Sequence, residues 1–213
     1  MGIKERKERE KQQRRIDIID AAEKVFFSKG YENSTMDDIA AKAELAKGTL
    51  YLYFNTKSEI CLSIAVRGLM LFRELIEETA NKGAKSIDKL SELLQVCLNF
   101  QKKHPNYTKA LIRFRDFIEQ CHENSEMLNL AHSENDQIIS MITTIIRNGI
   151  NEKSINADTD ADKLAMALWG QMSGFLPKQA FEHSQNNHSS EEEASTVEHV
   201  DYLYRLIIRG ITC

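Results

Sequence analysis

Only two prolines, Pro105 and Pro177, interrupt 213 residues, and glycine occurs nine times. Proline fixes φ and removes a backbone donor, so a chain that nearly lacks it has few enforced stops and room for long helices. The apolar residues recur at three- and four-residue spacing almost throughout, which is the helical period. Ile18, Ala22, Val25 and Phe26 form one stripe, which Gly30 ends with Tyr31 placed for an apolar contact behind it. Thr35 with Asp38 has the spacing of a capping box and opens a short helix with Ile39 and Ala40 facing inward. A turn at Ala43-Glu44-Leu45 leads to another short helix ending at Tyr53 or Phe54, and Thr56 with Glu59 opens a longer one to about Asn81.

A larger body begins after Gly83. Its stripes are Ile87, Leu90, Leu94, Cys97 and Leu98, stopped by His104-Pro105; then Leu111, Phe114, Phe117 and Ile118; then Ile138, Met141, Ile142 and Ile145. They predict helices at about 87–103, 107–122 and 133–150. Leu164 to Leu176 is apolar on nearly every side, which predicts the most buried helix, at about 160–182. Residues 183–196 are polar and of low complexity, the pattern of a loop. Ser195 with Glu198 is a third capping pair, before a stripe of Val200, Leu203, Tyr204, Ile207, Ile208 and Ile211. The fold class is therefore all-α. Residues 1–60 form a small helical unit with a basic extension over 1–14, and residues 61–213 form a larger one.

Charge is polarised. Residues 1–15 hold seven basic side chains against three acidic ones, a local +4 on a chain whose net charge is −4. That suits an anionic partner at the N-terminal end, although a solvated helix end has the same composition. No apolar run approaches the roughly 18 residues of a membrane span, and no apolar core follows the charged N-terminus as in a signal peptide. Cys61, Cys97, Cys121 and Cys213 are widely separated, and the six histidines do not cluster at ligand spacing. Neither a metal nor another cofactor is expected. A phosphate-binding glycine loop and a Ser/His/Asp or Cys/His signature are both missing, so no catalytic residue is assigned.

Two short capped helices joined by a tight turn form a helix-turn-helix. On the second, Lys47 can meet a phosphate, Gly48 permits close backbone approach, and Thr49 offers a hydroxyl and a methyl to base edges. Tyr51 and Tyr53 add hydroxyls and ring faces, while Leu50 and Phe54 are spaced to pack inward. Lys57 stands in the first turn of the next helix, where a helix N-terminus favours a phosphate.

The run from Phe26-Phe27-Ser28-Lys29-Gly30-Tyr31 through Thr35, Asp38-Ile39-Ala40, Lys47-Gly48-Thr49-Leu50-Tyr51, Tyr53-Phe54 and Lys57-Ser58-Glu59 strongly resembles the DNA-binding domain of the TetR family of bacterial regulators. The resemblance covers about residues 14–62. Arg147-Asn148-Gly149-Ile150 and Leu168-Trp169-Gly170 echo late helices of that family more weakly. It implies an N-terminal three-helix helix-turn-helix domain and a larger C-terminal helical domain for ligand binding and dimerisation. The implied function is a transcriptional repressor in the cytoplasm of a bacterial or archaeal cell. It would bind a double-stranded palindromic operator as a homodimer and be released by a mostly apolar small molecule. Thr35, Lys47, Gly48, Thr49, Tyr51, Tyr53 and Lys57 are then the DNA-facing residues.

Phe100, Phe114, Phe117, Trp169, Met172 and Phe175 are candidates for the ligand wall, although residues of this kind at helical spacing are also ordinary core. Arg113 and Arg115 flank Phe114 and could meet an acidic group on the ligand, or simply be solvated. Leu168, Leu203, Tyr204, Ile207 and Ile211 are candidates for the dimer interface, where the last two long helices of two copies would form a four-helix contact. Two positions depart from the family pattern. Glu44 stands where glycine is usual, costing about 1 kcal/mol if that residue is left-handed. Ala46 stands where serine often caps the recognition helix. An alternative function is a helical DNA-binding adaptor controlled by a protein partner or by cysteine oxidation.

Overall fold

In a computed structural model of the chain, residues 2–118, 126–182 and 190–212 are described, with side chains over 2–114, 126–173, 198 and 201–212. Nine helices follow one another among the described residues, with no strand. They are α1 (Ile3–Lys29), α2 (Met36–Lys42), α3 (Lys47–Tyr51), α4 (Lys57–Ala80), α5 (Ser86–Lys103), α6 (Pro105–Ile118), α7 (Glu126–Asn151), α8 (Ala161–Glu182) and α9 (Ser190–Ile211). The basic N-terminal stretch is itself helical and continuous with the first apolar stripe.

Local chemistry explains the boundaries. Gly30 ends α1 at φ 78 and ψ 156. That region is open essentially only to glycine, and it is not the left-handed helical stop expected from sequence. Tyr31 then packs edge-on against Phe26, with ring centroids 5.4 Å apart. At α2 both halves of the capping box form: the Thr35 hydroxyl accepts from the Asp38 amide, and the Asp38 carboxylate accepts from the Thr35 amide. At α4 only half does. Thr56 accepts from the Glu59 amide, but the Glu59 carboxylate takes the Asn55 amide instead. Pro105 opens α6 where its missing N–H costs nothing.

Two of the remaining boundaries differ from expectation. α7 begins at Glu126, seven residues before the apolar stripe implied. α9 begins at Ser190, so Ser195 lies inside a helix and does not cap one. Residues 183–189 of the expected loop lie outside the described residues. Over residues 161–173 α8 is not buried on every side as expected, since Met166 is 63% exposed and Ala167 and Gly170 also face outward.

Two hydrophobic cores result. One joins α1, α2, α3 and the start of α4 around Ile18, Ile39, Leu50 and Phe54, all fully buried. The other fills the body around Phe72, Ile76, Leu90, Phe100, Ile142 and Leu168. α4 belongs to both. Ile60, Cys61, Ile64 and Ala65 enter the first core, and Leu62, Val66, Leu69 and Phe72 enter the second. α4 is therefore the helix whose buried residues are shared between the two cores.

Candidate nucleic-acid interface and regulatory body

The turn between α2 and α3 sets the angle of the second short helix. The Leu45 amide donates to the Ala40 carbonyl at 2.9 Å and the Glu44 amide to the Ala41 carbonyl at 3.2 Å. This is a Schellman arrangement, which needs a left-handed residue between them. Glu44 takes that role at φ 56, so the strain anticipated for a side chain there is present. Ala46, just before α3, has the extended backbone of an N-cap, but its side chain caps nothing.

α3 is anchored by Leu50 and, just beyond it, Phe54, both fully buried. Helical geometry then turns the rest outward. Lys47, Gly48 and Tyr51 are exposed, and Thr49 is half-buried. A Cβ placed on Gly48 would meet no atom within 4 Å, so nothing inside the protein requires glycine there. The Lys47 ammonium contacts the Asp37 carboxylate at 2.7 Å, with both side chains more than half exposed. This hydrogen bond raises the Lys47 pKa, and it must break before Lys47 reaches a phosphate. Thr35 is exposed, but its hydroxyl is engaged with Asp38.

Two of the sequence-derived positions are more internal. Tyr53 is half-buried against the first core, and its carbonyl accepts from Arg15, whose guanidinium lies over the Phe54 ring. Lys57 donates to the Tyr31 and Ser34 carbonyls at 2.7 and 2.8 Å and sits over the Tyr31 ring. Here it fastens α4 to the loop after α1. Arg15, on the α1 face beside α3, was not singled out from sequence.

α1 is also tied to the body. Arg67 on α4 bonds Asp20 and Glu23 at 2.6 and 3.2 Å, and the Tyr107 hydroxyl on α6 donates to Glu23. Burial and the neighbouring Glu23 push the Tyr107 phenol up to about 12, so it stays a donor. Tyr107 sits close to α4 because Gly68 has no side chain: a Cβ there would lie 3.0 Å from the Tyr107 Cβ.

In the body, Phe100, Trp169 and Met172 converge, all at most 9% exposed. Phe100 and Trp169 both pack on Phe72 of α4, with centroids 5.1 and 5.7 Å away. The Trp169 indole donates to Asn135. Phe114 is half-buried between the two cores. The side chains of Phe117, Phe175 and Arg115 lie outside the described residues. Phe72 was not anticipated, because nothing in a helical stripe marks the residue on which other aromatics converge. Burial pushes the Cys61 and Cys97 thiols up to about 12, so neither is a thiolate near neutrality. The described residues contain no group of three His, Cys, Asp or Glu side chains arranged for a metal, and no helix long and apolar enough to cross a membrane.

Of the five residues expected on the dimer face, two are internal to their own chain. Leu168 is fully buried and Tyr204 is 2% exposed, its hydroxyl bonded to the Leu90 carbonyl. Both are spent inside their own chain, and Ile207 and Ile211 lean on the same core. Of the five residues, only Leu203 is exposed, at 50%. Near it on α9, Tyr202 and Leu206 are also exposed.

Residues 18–64 match the bacterial regulatory proteins of the tetR family. The chain is 26% identical over 162 residues to the fatty acid metabolism regulator protein of Bacillus subtilis, covering 76% of this chain and 81% of that one. Its fold is like that of FadR from Bacillus subtilis, solved in complex with stearoyl-CoA, with TM-score 0.65, 22% identity and coverage of 92% and 98%. It is also like that of a TetR-family regulator from Pectobacterium atrosepticum, with TM-score 0.75, 18% identity and coverage of 95% and 96%.

Proposed function

We propose, for a chain that belongs to the TetR family of bacterial regulatory proteins, a repressor that reads a near-palindromic operator as a homodimer and lets go when a mostly apolar small molecule enters its body. The observation that carries this reading is α3, pinned by Leu50 and Phe54 with Lys47, Gly48, Thr49 and Tyr51 left facing out. Among the described residues the exposed Lys47–Asp37 pair is the one side-chain bond that outward surface makes, and its side chains suit phosphates and base edges. Residues up to about 60 act as the DNA-binding unit and the rest as the regulatory and dimerising unit.

In the regulatory step, the effector displaces the Phe100 and Trp169 rings. Phe72 moves with them, and so does α4. Since α4 also builds the core of the DNA-binding unit, the spacing of the two recognition helices changes and both half-sites can no longer be held. A preference of about 100-fold for the shifted conformer, near 2.7 kcal/mol, is sufficient. The complex of the Bacillus subtilis FadR with stearoyl-CoA makes long-chain acyl thioesters the first effectors to try. The dimer face we assign to Tyr202, Leu203 and Leu206 of α9, exposed apolar side chains three and four residues apart that a two-fold contact covers.

The test is a titration of duplexes from the gene's own upstream region against random duplexes at 0.15 M salt. Preference for the upstream DNA is expected. Lys47→Ala should weaken both alike and reduce the salt slope by about one unit, whereas Thr49→Ala or Tyr51→Ala should relax one base position by about 1–3 kcal/mol. Equal affinity for both duplexes refutes the reading.

A further inference from the structure

A cleft of about 620 Å³ opens where the end of α1 meets α6 over the start of α4, away from the Phe100–Trp169 cluster. That volume lies within the range of small-molecule sites. Its inner surface is mixed, and Phe27, half-buried, supplies apolar area beside the exposed edge of Phe26. Its edge is cationic: Lys29, Lys109 and Arg113 face a single carboxylate, Glu32. Lys29 is held by Asp38. Lys109 is exposed and meets no carboxylate among the described residues. Arg113 reaches from α6 to Glu32 in the loop after α1, at 2.5 Å, and lies over the Tyr31 ring. The Arg113–Glu32 pair thus clasps the two units across the cleft mouth, with Glu32 70% exposed and easily exchanged for another anion.

We infer that this cleft is a second ligand site, for an amphipathic organic anion whose apolar body rests on Phe27 and the exposed edge of Phe26. Its carboxylate, sulfonate or phosphate takes Arg113 from Glu32 and is met by Lys109. The charge pattern selects this class. A neutral molecule leaves the Arg113–Glu32 clasp in place, and a cation meets an edge that already carries an excess of positive charge. The site is independent of the effector proposed for the body, because no ring of that cluster lines it.

The test uses the full chain without DNA and the anion 8-anilinonaphthalene-1-sulfonate, whose emission rises on an apolar surface. Saturable binding is expected. Lys109→Gln and Arg113→Gln should each weaken it about threefold or more, and Glu32→Gln, which removes the competing carboxylate, should tighten it by a similar factor. Arg147→Gln, which breaks an exposed pair with Asp162 elsewhere, should leave it unchanged. Thermal melts confirm that each variant is folded, and Lys109→Gln, which breaks no ion pair among the described residues, is the decisive one. Equal affinity across all four variants, or weakening by Glu32→Gln, overturns the proposal. Because DNA is not in the assay, that failure leaves the operator reading untouched, and failure to bind operator leaves this result untouched.

Discussion

Gly48→Ala separates what α3 does for the fold from what it does for DNA. In the free protein the added methyl meets nothing within 4 Å, and the residue is helical, so no backbone strain arises. Alanine is favoured over glycine by about 1 kcal/mol in a helix interior, and through its stiffer unfolded chain by about 0.4–1 kcal/mol where the native backbone suits it. Gly48 is the second residue of a five-residue helix, so about half the interior value is the better expectation. For a chain of this length that raises the melting temperature by about 1–2 °C. On DNA the sign reverses. If glycine is there so that the backbone can lie against the groove wall, the methyl holds it off and loses at least one contact. At about 1–3 kcal/mol, affinity falls roughly 5- to 150-fold. A melt and a fluorescence-anisotropy titration on the same sample read both effects. A variant that is more stable and weaker on DNA supports the account. One that binds operator as tightly as the parent refutes the claim that Gly48 faces DNA, and one that loses stability refutes the claim that its surroundings are open.

Four other changes have definite signs. Ala46→Ser should supply the missing cap of α3 and raise stability by about 0.5–1 kcal/mol, seen as a higher urea midpoint. Asp37→Ala frees Lys47 and removes a negative charge beside the interface, so it should tighten binding to all duplexes alike and steepen the salt slope. Asp38 is held at about 2 by hydrogen bonds from Lys29 and Thr35, below its unfolded value of about 3.9. Its contribution is complete above about pH 5 and disappears as pH falls through 2, so Asp38→Asn should flatten the acid limb of a stability profile between those limits. Leu206→Glu should yield monomers by light scattering that bind operator poorly, whereas a variant that stays dimeric moves the interface elsewhere.

Local chemistry made the helix-turn-helix readable. Its start is a Thr35–Asp38 pair three residues apart, and its anchors Leu50 and Phe54 share one face because they are four residues apart. The strain at Glu44 was anticipated only through the resemblance, which places glycine at that turn position. The body was less legible, because a stripe shows that a helix face is apolar without showing what covers it. Leu203 and Tyr204 are neighbours in one stripe, yet Tyr204 is sealed under α5 and Leu203 looks outward. Leu168 had the composition of an interface residue and is core. Lys57 shows the same limit for charge: its place at a helix start suits a phosphate, while two carbonyls 23 and 26 residues earlier in the chain take its protons. The cleft at the junction is built by residues from α1, α4, α6 and the loop after α1, and no spacing within one segment announces it.

A hydroxyl-radical footprint on the upstream DNA tests the operator reading most directly. A dimer presenting two α3 helices should protect two symmetric windows on one face of the duplex, centred about one helical turn, roughly 34–36 Å, apart or somewhat more. Protection should vanish with Leu206→Glu and lose its sequence preference with Thr49→Ala. A single window, protection that ignores sequence, or a footprint unaffected by Thr49→Ala and Tyr51→Ala contradicts a homodimer reading DNA through α3.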